Sequence, residues 1–430
     1  MAEQVSFHPE REFDEALGLL HDETLAPPDL GGREPAYPDF PTAEHQLRYA
    51  RLTRLLEAYD LDALVLTQEE TIRYLSGYVS VIWAVGRWLP GCMIATRDPR
   101  DAVLIPSAFD VGAAHGTSWV GTIDGHPDPM AIPDKVSGHL ERLGLRAGRI
   151  GMETGAGAVV MLPWPAAQAL VKAVDPVDAT KLISTLRMVK TPAEVDRLRA
   201  AVTATTAGYR AAMEAARAGM TERELVGIAA ATMFGSGITA GTKPVYLNCV
   251  AGRDRYGLVD TTASDRPLAE GDVVFLDGGG ARDGYISDII RLIAIGRISD
   301  EAERYAAIAG AALDAAIATI RPGVRVSEVF GAGQAVFDAE GVGGSGGGLS
   351  GHGIGLELWE RPFVRDHTGD PVEDVALRPG MTLSIEPILM PSDDAGLVGV
   401  FVFENQIHVT ADGAEVLSGD LETRLWRAPA

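Results

Sequence analysis

Long apolar runs are missing from this chain. No stretch approaches 18 consecutive apolar residues, which excludes a membrane-spanning helix. Cysteine is scarce: Cys92 and Cys249 are the only two. Two thiols cannot build a disulfide framework, and a reducing cytoplasm is the compartment they fit. Positive charge is in deficit, with 37 Lys and Arg against 60 Asp and Glu and a net charge of −23. Such a surface repels phosphate backbones and anionic lipid, so nucleic acid and acidic membranes are excluded as partners. The opening residues, MAEQVSFHPEREFDEALG, carry charge but no apolar core, so no signal peptide is read there. Gly341–Gly351 is glycine-rich, but no Lys-Ser/Thr follows it, which excludes a phosphate loop.

What is present is an ordinary globular composition, 46% hydrophobic and 23% charged over 430 residues, enough for two or three domains. Residues 1–45 hold many prolines and scattered acids and read as an extended N-terminal arm, either loosely ordered or packed on a partner subunit. Residues 46–180 alternate helix and strand. Leu47, Ala50, Leu52, Leu55, Leu56 and Tyr59 share one helical face, and Ala63–Thr67, Gly91–Thr96, Asp101–Pro106 and Gly148–Glu153 read as strands. This is a small α/β domain. Residues 181–430 change regime. Thr191-Pro192-Ala193-Glu194 predicts a capped helix reaching about Ala216, and Thr221 with Glu224 caps a second. Two more long helices are expected at Ser299–Ile320 and Ser327–Glu340. The strands between and after them make the region α+β around a largely antiparallel sheet.

Four acids in these strands stand where acids are costly. Asp277 follows VVFL, Asp288 precedes IIRLIAI, Glu386 interrupts LSI and PILM, and Glu404 follows VFVF. An ionised carboxylate in such a run needs a partner, and four of them point to a shared cation. The ARDG turn (Ala281–Gly284) makes Asp277–Asp288 one hairpin centred on Arg282-Asp283, with the two carboxylates facing each other. His352, in SGHGIGLELWERP, joins them, since its small neighbours permit close approach of a ligand. Four carboxylates and one imidazole suit Mn²⁺ best, with Zn²⁺, Co²⁺ or Fe²⁺ as the alternatives. Five ligands exceed what one ion needs, so two metals are expected.

DGGGARDGYISDIIR, GHGIGLELWERP, SIEP and FENQIHV together resemble the creatinase/prolidase/aminopeptidase P metallopeptidases, which have the pita-bread fold. The likeness extends from about Leu47 to the C-terminus and includes TIRYLSGY and MVKTPAEVDRLRAA. It implies a pita-bread catalytic domain behind a smaller creatinase-type N-terminal domain, a homodimer, and two divalent ions. In that scheme Asp277 chelates the first ion, Asp288 and Glu404 bridge both, and His352 and Glu386 complete the second. Glu386 is also the general base for a metal-bridging hydroxide that attacks an amide-like C–N bond.

The sequence departs from the family's proline-specific members around this set. The His they place seven residues after the metal His is Trp359 here, the one four residues before it is Gly348, and the Arg two before the last Glu is Val402. No His lies in Arg253–Arg266. These groups hold the peptide carbonyl and stabilise the tetrahedral intermediate. The expected substrate is therefore a small molecule or atypical dipeptide. Trp359 reads either as a core residue capping the sheet or as an aromatic wall of the substrate pocket. Trp83, Arg87 and Trp88 are the other candidate substrate residues, Arg87 for a carboxylate. Arg291 is expected to stabilise the acid cluster. Alternatives are a lyase or creatinase-like hydrolase acting on a small zwitterion, and a pita-bread binding protein without catalysis. The dimethylsulfoniopropionate lyases of the family carry further acids where this chain has Gly279 and Leu358.

Overall fold

The computed structural model describes residues 12–85, 89–239, 243, 245–343, 348–394 and 396–428. The chain forms two compact units, Met1–Arg187 and Met188–Ala430.

The first unit is built on β1 (Ala63–Leu66), β2 (Cys92–Thr96), β3 (Val103–Ile105), β4 (Thr122–Ile123), β5 (Ile150–Met152) and β6 (Val177–Asp178), in the order β4-β3-β2-β1-β5-β6. β1 runs antiparallel to β2 and parallel to β5. The apolar runs ALVL and CMIAT are buried along their whole length, as strands covered on both faces require. Ile132, Val136 and Leu140 of one helix and Leu170 of another pack on Ala63, Val65, Ile94 and Ile105.

The segment expected as a free or partner-bound arm lies, from residue 12 on, against this same unit. Its short helix Glu12–Leu17 buries Phe13 and Leu17. Asp22 pairs with Arg51 at 2.6 Å and Asp39 with Arg73 at 2.8 Å. The Arg48 guanidinium sits 4.3 Å from the centre of the Phe40 ring. Arg51 and Arg73 are buried, and a buried cation without a counter-charge is costly. The segment supplies the two acids, which its proline-rich composition conceals.

In the second unit the two N-terminal helices are Pro192–Ala215 and Glu222–Gly235, each opened by a capping box, Thr191 with Glu194 and Thr221 with Glu224. Strands β7 (Tyr246–Ala251), β8 (Val273–Gly279) and β11 (Ile289–Ala294) form one sheet, with β9 (Ala281–Arg282) and β10 (Tyr285–Ile286) as a small hairpin between β8 and β11. A second sheet holds β12 (Leu349–Gly353), β13 (Glu360–Arg365) and β14 (Thr382–Ile385). A two-stranded ribbon follows, β15 (Ser392–Asp393) with β16 (Gly396–Leu397). Then β17 (Asn405–Val409) and β18 (Ala414–Val416) complete the second sheet, while β19 (Trp426–Arg427) returns to the edge of the first. The sheet orders are β19-β11-β8-β7 and β13-β12-β14-β17-β18. One bridge, Ile290 to Glu404, joins them, with the Glu404 N–H donating to the Ile290 carbonyl at 3.2 Å. Tyr209, Met213 and Leu225 from the two helices pack on Cys249, Leu276 and Ile293 of the first sheet. Helices Asp300–Thr319 and Val326–Glu340 pack on each other and on the second sheet.

The hairpin differs from expectation by one residue. Asp283 and Gly284 have φ of 48° and 85° and form the two central positions of the turn, the conformation a two-residue hairpin loop needs. Asp277 therefore stands opposite Ile290 instead of Asp288. The aspartates are diagonal neighbours on one face, since residues two apart on a strand share a face.

Candidate metal centre

The strand alternation that buries VVFL and IIRLIA also presents the acids. Asp277 lies on β8, Asp288 immediately before β11, His352 on β12, Glu386 immediately after β14 and Glu404 immediately before β17. Each therefore sits on, or at the end of, a strand of the two bridged sheets. Ligand atoms of Asp288, His352 and Glu404 lie within 4.8 Å of one another. His352 Nε2 is 3.8 Å from Asp288 Oδ2 and 3.7 Å from Glu386 Oε1. Asp277 accepts from the Tyr246 hydroxyl at 3.4 Å, and its charge acts on Asp288, Glu386 and Glu404.

These groups lack the partners that buried polar atoms ordinarily have. Asp288 Oδ1, His352 Nε2 and both carboxylate oxygens of Glu404 are buried without a hydrogen-bond partner among the described residues. The His352 Nδ1–H donates to the Gly353 carbonyl at 3.0 Å, which assigns the tautomer and leaves the Nε2 lone pair facing the acids. Arg291 makes no side-chain contact with the carboxylates among the described residues, although the Glu404 charge acts on it. It is fully buried and donates to the carbonyls of Ile290, Glu404 and Leu421 and to Asn405 Oδ1. Its contribution is to fix the main chain at Glu404.

The electrostatics follow. Burial, with smaller help from Asp260, pushes Asp277 up to about 7 against the opposing Tyr246 hydrogen bond. Burial and the Asp277 charge push Glu386 up to about 8. Asp288 and Glu404 are driven well above the carboxylate range by burial and by their acidic neighbours. Burial brings His352 down to about 4, so its imidazole is neutral near pH 7. A neutral imidazole with a free Nε2 beside four carboxylates that resist ionisation together is a donor set suited to a divalent cation.

The substrate candidates separate. Trp359 is not a core residue: it is 58% exposed, and its ring centre lies 5.5 Å from that of His352 at an interplanar angle of 33°. Trp83 meets Tyr78 edge-on at 4.7 Å within the first unit. Arg87 and Trp88 fall outside the described residues.

Several residues at the centre were not marked by sequence reasoning. Tyr246 contacts Asp277 and accepts from Asn248 Nδ2 at 3.0 Å. Gln406, inside the quoted FENQIHV segment, accepts from the Asp288 N–H at 3.3 Å. Lys190 and Glu360 form a buried pair at 2.7 Å, and Glu360 also accepts from the Glu357 N–H, which ties down the turn carrying Trp359. Gln406, Glu360 and Lys190 each had a signal, their place in the quoted segments FENQIHV, GHGIGLELWERP and MVKTPAEVDRLRAA, whereas Tyr246 had none.

The two bridged sheets with their flanking helices are the pita-bread fold, and with this carboxylate–imidazole cluster they define a metal-dependent hydrolase. Comparison with known proteins gives the family. Metallopeptidase family M24 matches residues 196–411, and the creatinase/prolidase N-terminal domain matches residues 48–189. The chain belongs to metallopeptidase family M24. It is 26% identical over 394 residues to the uncharacterized hydrolase/peptidase y4tL of Sinorhizobium fredii, covering 88% of this chain and 95% of that protein. With the Xaa-Pro dipeptidase of Pyrococcus furiosus it shares 29% identity over 238 residues, 55% of this chain and 65% of that one. The structure of an Xaa-Pro dipeptidase from Bacillus anthracis superposes with a TM-score of 0.75 at 25% identity, covering 89% of this chain and 99% of the other. Among the described residues no helix is long and apolar enough to cross a membrane.

Proposed function

We propose that this M24 hydrolase holds two divalent ions, Mn²⁺ being the best suited, between Asp277, Asp288, His352, Glu386 and Glu404, and cleaves an amide-like C–N bond of a small molecule or atypical dipeptide. The observation that carries the reading is the set of buried ligand atoms without partners at Asp288, His352 and Glu404. Oxygen-rich donors favour Mn²⁺ over softer metals, and five side chains exceed the needs of one ion. Bound there, the ions supply charge neutralisation and an acidified water at neutral pH.

The chain's own residues divide the remaining work. Asp277 and Asp288 from one sheet and Glu404 from the other would hold the ions between them. Glu386 is more open than Asp288, with 13% of its side chain accessible against 7%, and Asp277 is half-buried as well. Glu386 therefore has the access to take a proton from water and return it to a leaving nitrogen. Trp359 stands exposed beside His352, in the position where the resemblance places a His in proline-specific members. An indole face offers apolar and cation–π contact there in place of an imidazole. That supports a substrate other than a general Xaa-Pro peptide. Two buried free thiols accord with a reducing cytoplasm, and a homodimer is the assembly the family resemblance suggests.

The test is Mn²⁺ titration of metal-stripped protein together with Glu386→Gln. The variant should bind Mn²⁺ yet lose at least about 10²-fold in kcat; a near-normal rate with metal bound removes Glu386 as the base. On the metal-loaded wild type, kcat/KM for Xaa-Pro dipeptides at or above about 10⁴ M⁻¹s⁻¹, a value ordinary for a true substrate, would refute the substrate part alone.

A further inference from the structure

The aspartates are held by more than their strands. Tyr209, fully buried on the helix Pro192–Ala215, places its hydroxyl 3.0 Å from the Gly278 carbonyl and 2.6 Å from the Ile289 carbonyl. Gly278 follows Asp277 and Ile289 follows Asp288, and the two are register partners across β8 and β11. One turn earlier on the same helix face, Thr205 Oγ1 meets Ser287 Oγ at 2.7 Å. Ser287 precedes Asp288 and donates to the Gly280 carbonyl at 2.9 Å, while the Gly280 N–H donates back at 3.2 Å. The approach is tight: a Cβ on Gly279 would lie 2.0 Å from the Ser287 carbonyl oxygen. Residues four apart on a helix present side by side, so one helix face fastens both main-chain segments that carry the diagonal aspartates.

We propose that Tyr209, assisted by Thr205, is a positioning residue for metal binding: its hydroxyl clasps β8 to β11 beside Asp277 and Asp288 and sets the separation of their carboxylates. This rests on the metal-site reading above. Two carboxylates in one buried site repel, and strands can yield to that force by small shifts before an ion arrives. A phenol bridging the two adjacent carbonyls opposes the shift. Its one proton serves one carbonyl at a time, so the clasp is a shared hydrogen bond. Tyr209→Phe keeps the ring in the core formed with Cys249 and Leu276 and deletes only the clasp.

The experiment measures the Mn²⁺ dissociation constant of metal-stripped protein by calorimetry for wild type, Tyr209→Phe and a control, Tyr49→Phe. Tyr49 is also a fully buried phenol, donating to the Thr96 carbonyl at 2.9 Å in the first unit. Both variants should lose comparable thermal stability. Only Tyr209→Phe should bind Mn²⁺ more weakly, by roughly 10–100-fold, the usual cost of losing a partner that orients metal ligands. Equal affinities in Tyr209→Phe and wild type overturn the clasp and leave the metal site standing, whereas a wild type without Mn²⁺ affinity overturns both. If Tyr209→Phe does not fold, Thr205→Val carries the test: weakened Mn²⁺ binding supports the clasp and unchanged binding overturns it.

Discussion

Two glutamates of the second unit are equally buried and differently treated. Glu222, fully inaccessible, opens the helix Glu222–Gly235. It accepts from the Ala251 N–H at 2.9 Å, the Ser264 N–H at 2.9 Å, the Ser264 hydroxyl at 2.7 Å and Arg255 Nε at 3.1 Å. Glu404, 1% exposed, has no hydrogen-bond partner of good geometry on either carboxylate oxygen among the described residues, and only the Ser384 side chain eases its burial. A buried acid with four donors, one of them a cation, is a structural pin that orders the 251–264 loop. A buried acid with none, facing three other carboxylates, is destabilising unless a cation completes it. The contrast shows how burial by itself says little. The distribution of donors separates an acid that serves the fold from one that serves a ligand.

The comparison breaks most sharply by making the same change in both residues. Glu222→Gln should lower unfolding free energy by roughly 3–5 kcal/mol, the range for breaking a buried pair, and leave Mn²⁺ affinity within a few-fold of wild type. Glu404→Gln should do the reverse. Metal-stripped protein keeps or gains stability, because a repelled carboxylate has been neutralised. Mn²⁺ binding then weakens by more than the roughly 10–100-fold that an outer partner is worth. Urea unfolding and calorimetry on the two variants decide it. A Glu404→Gln protein that is destabilised as much as Glu222→Gln, with its metal binding intact, would erase the distinction.

A second effect, smaller per residue, is a pH dependence confined to the metal-stripped state. Folded Asp277 near 7 and Glu386 near 8 retain protons that the unfolded chain, at ordinary carboxylate values, has lost. The native state then binds more protons than the unfolded one, so stability rises as pH falls from about 8. His352 works the other way once the unfolded imidazole charges below about 6.5, because the folded ring resists protonation until about 4. The clean window is therefore pH 8 to 6.5, where each retained proton contributes up to about 1.4 kcal/mol per pH unit. Saturating Mn²⁺ replaces those protons and should flatten the slope. Metal-stripped protein that proves more stable at pH 8 than at pH 6.5 would show that the acids are not crowded as the geometry indicates.

Legibility in the sequence followed the range of the interaction. Helix Pro192–Ala215 was readable to a residue or two because Thr191, Pro192 and Glu194 are a local signal. The strand acids stood out because a carboxylate after VVFL or before IIRLIAI contradicts its neighbours, and the contradiction is itself local. The family likeness came from those same segments. What failed or went unseen depends on contacts distant in sequence. The docking of residues 12–41 turns on Asp22 and Asp39 meeting Arg51 and Arg73, which composition cannot foretell. The hairpin centre shifted because Asp283 tolerates the left-handed conformation beside Gly284. Tyr209 and Tyr246 reach the centre only through the packing of a helix and a strand on β8. Trp359 gave no sign of whether it faced core or solvent.

The smallest effect sharpens the comparison at the helix that carries Glu222. Its cap, Thr221, accepts from the Glu224 N–H at 3.2 Å, and Glu224 accepts in turn from the Thr221 N–H at 2.8 Å. This box is solvent-exposed and immediately adjacent in sequence to the buried pin. If Glu222 is held by the Ser264 and Arg255 network, the cap contributes only its own share. Thr221→Ala should then cost about 1 kcal/mol, the usual value for a lost N-cap. If the pin instead depends on the cap to aim the first turn, the loss should approach that of Glu222→Gln, and the double variant should be no worse than Glu222→Gln alone. A double-mutant cycle in urea reads the coupling directly. Additivity within about 0.5 kcal/mol is the expected result, and strong coupling would mean that the 251–264 loop is ordered through the helix terminus and not by the buried carboxylate.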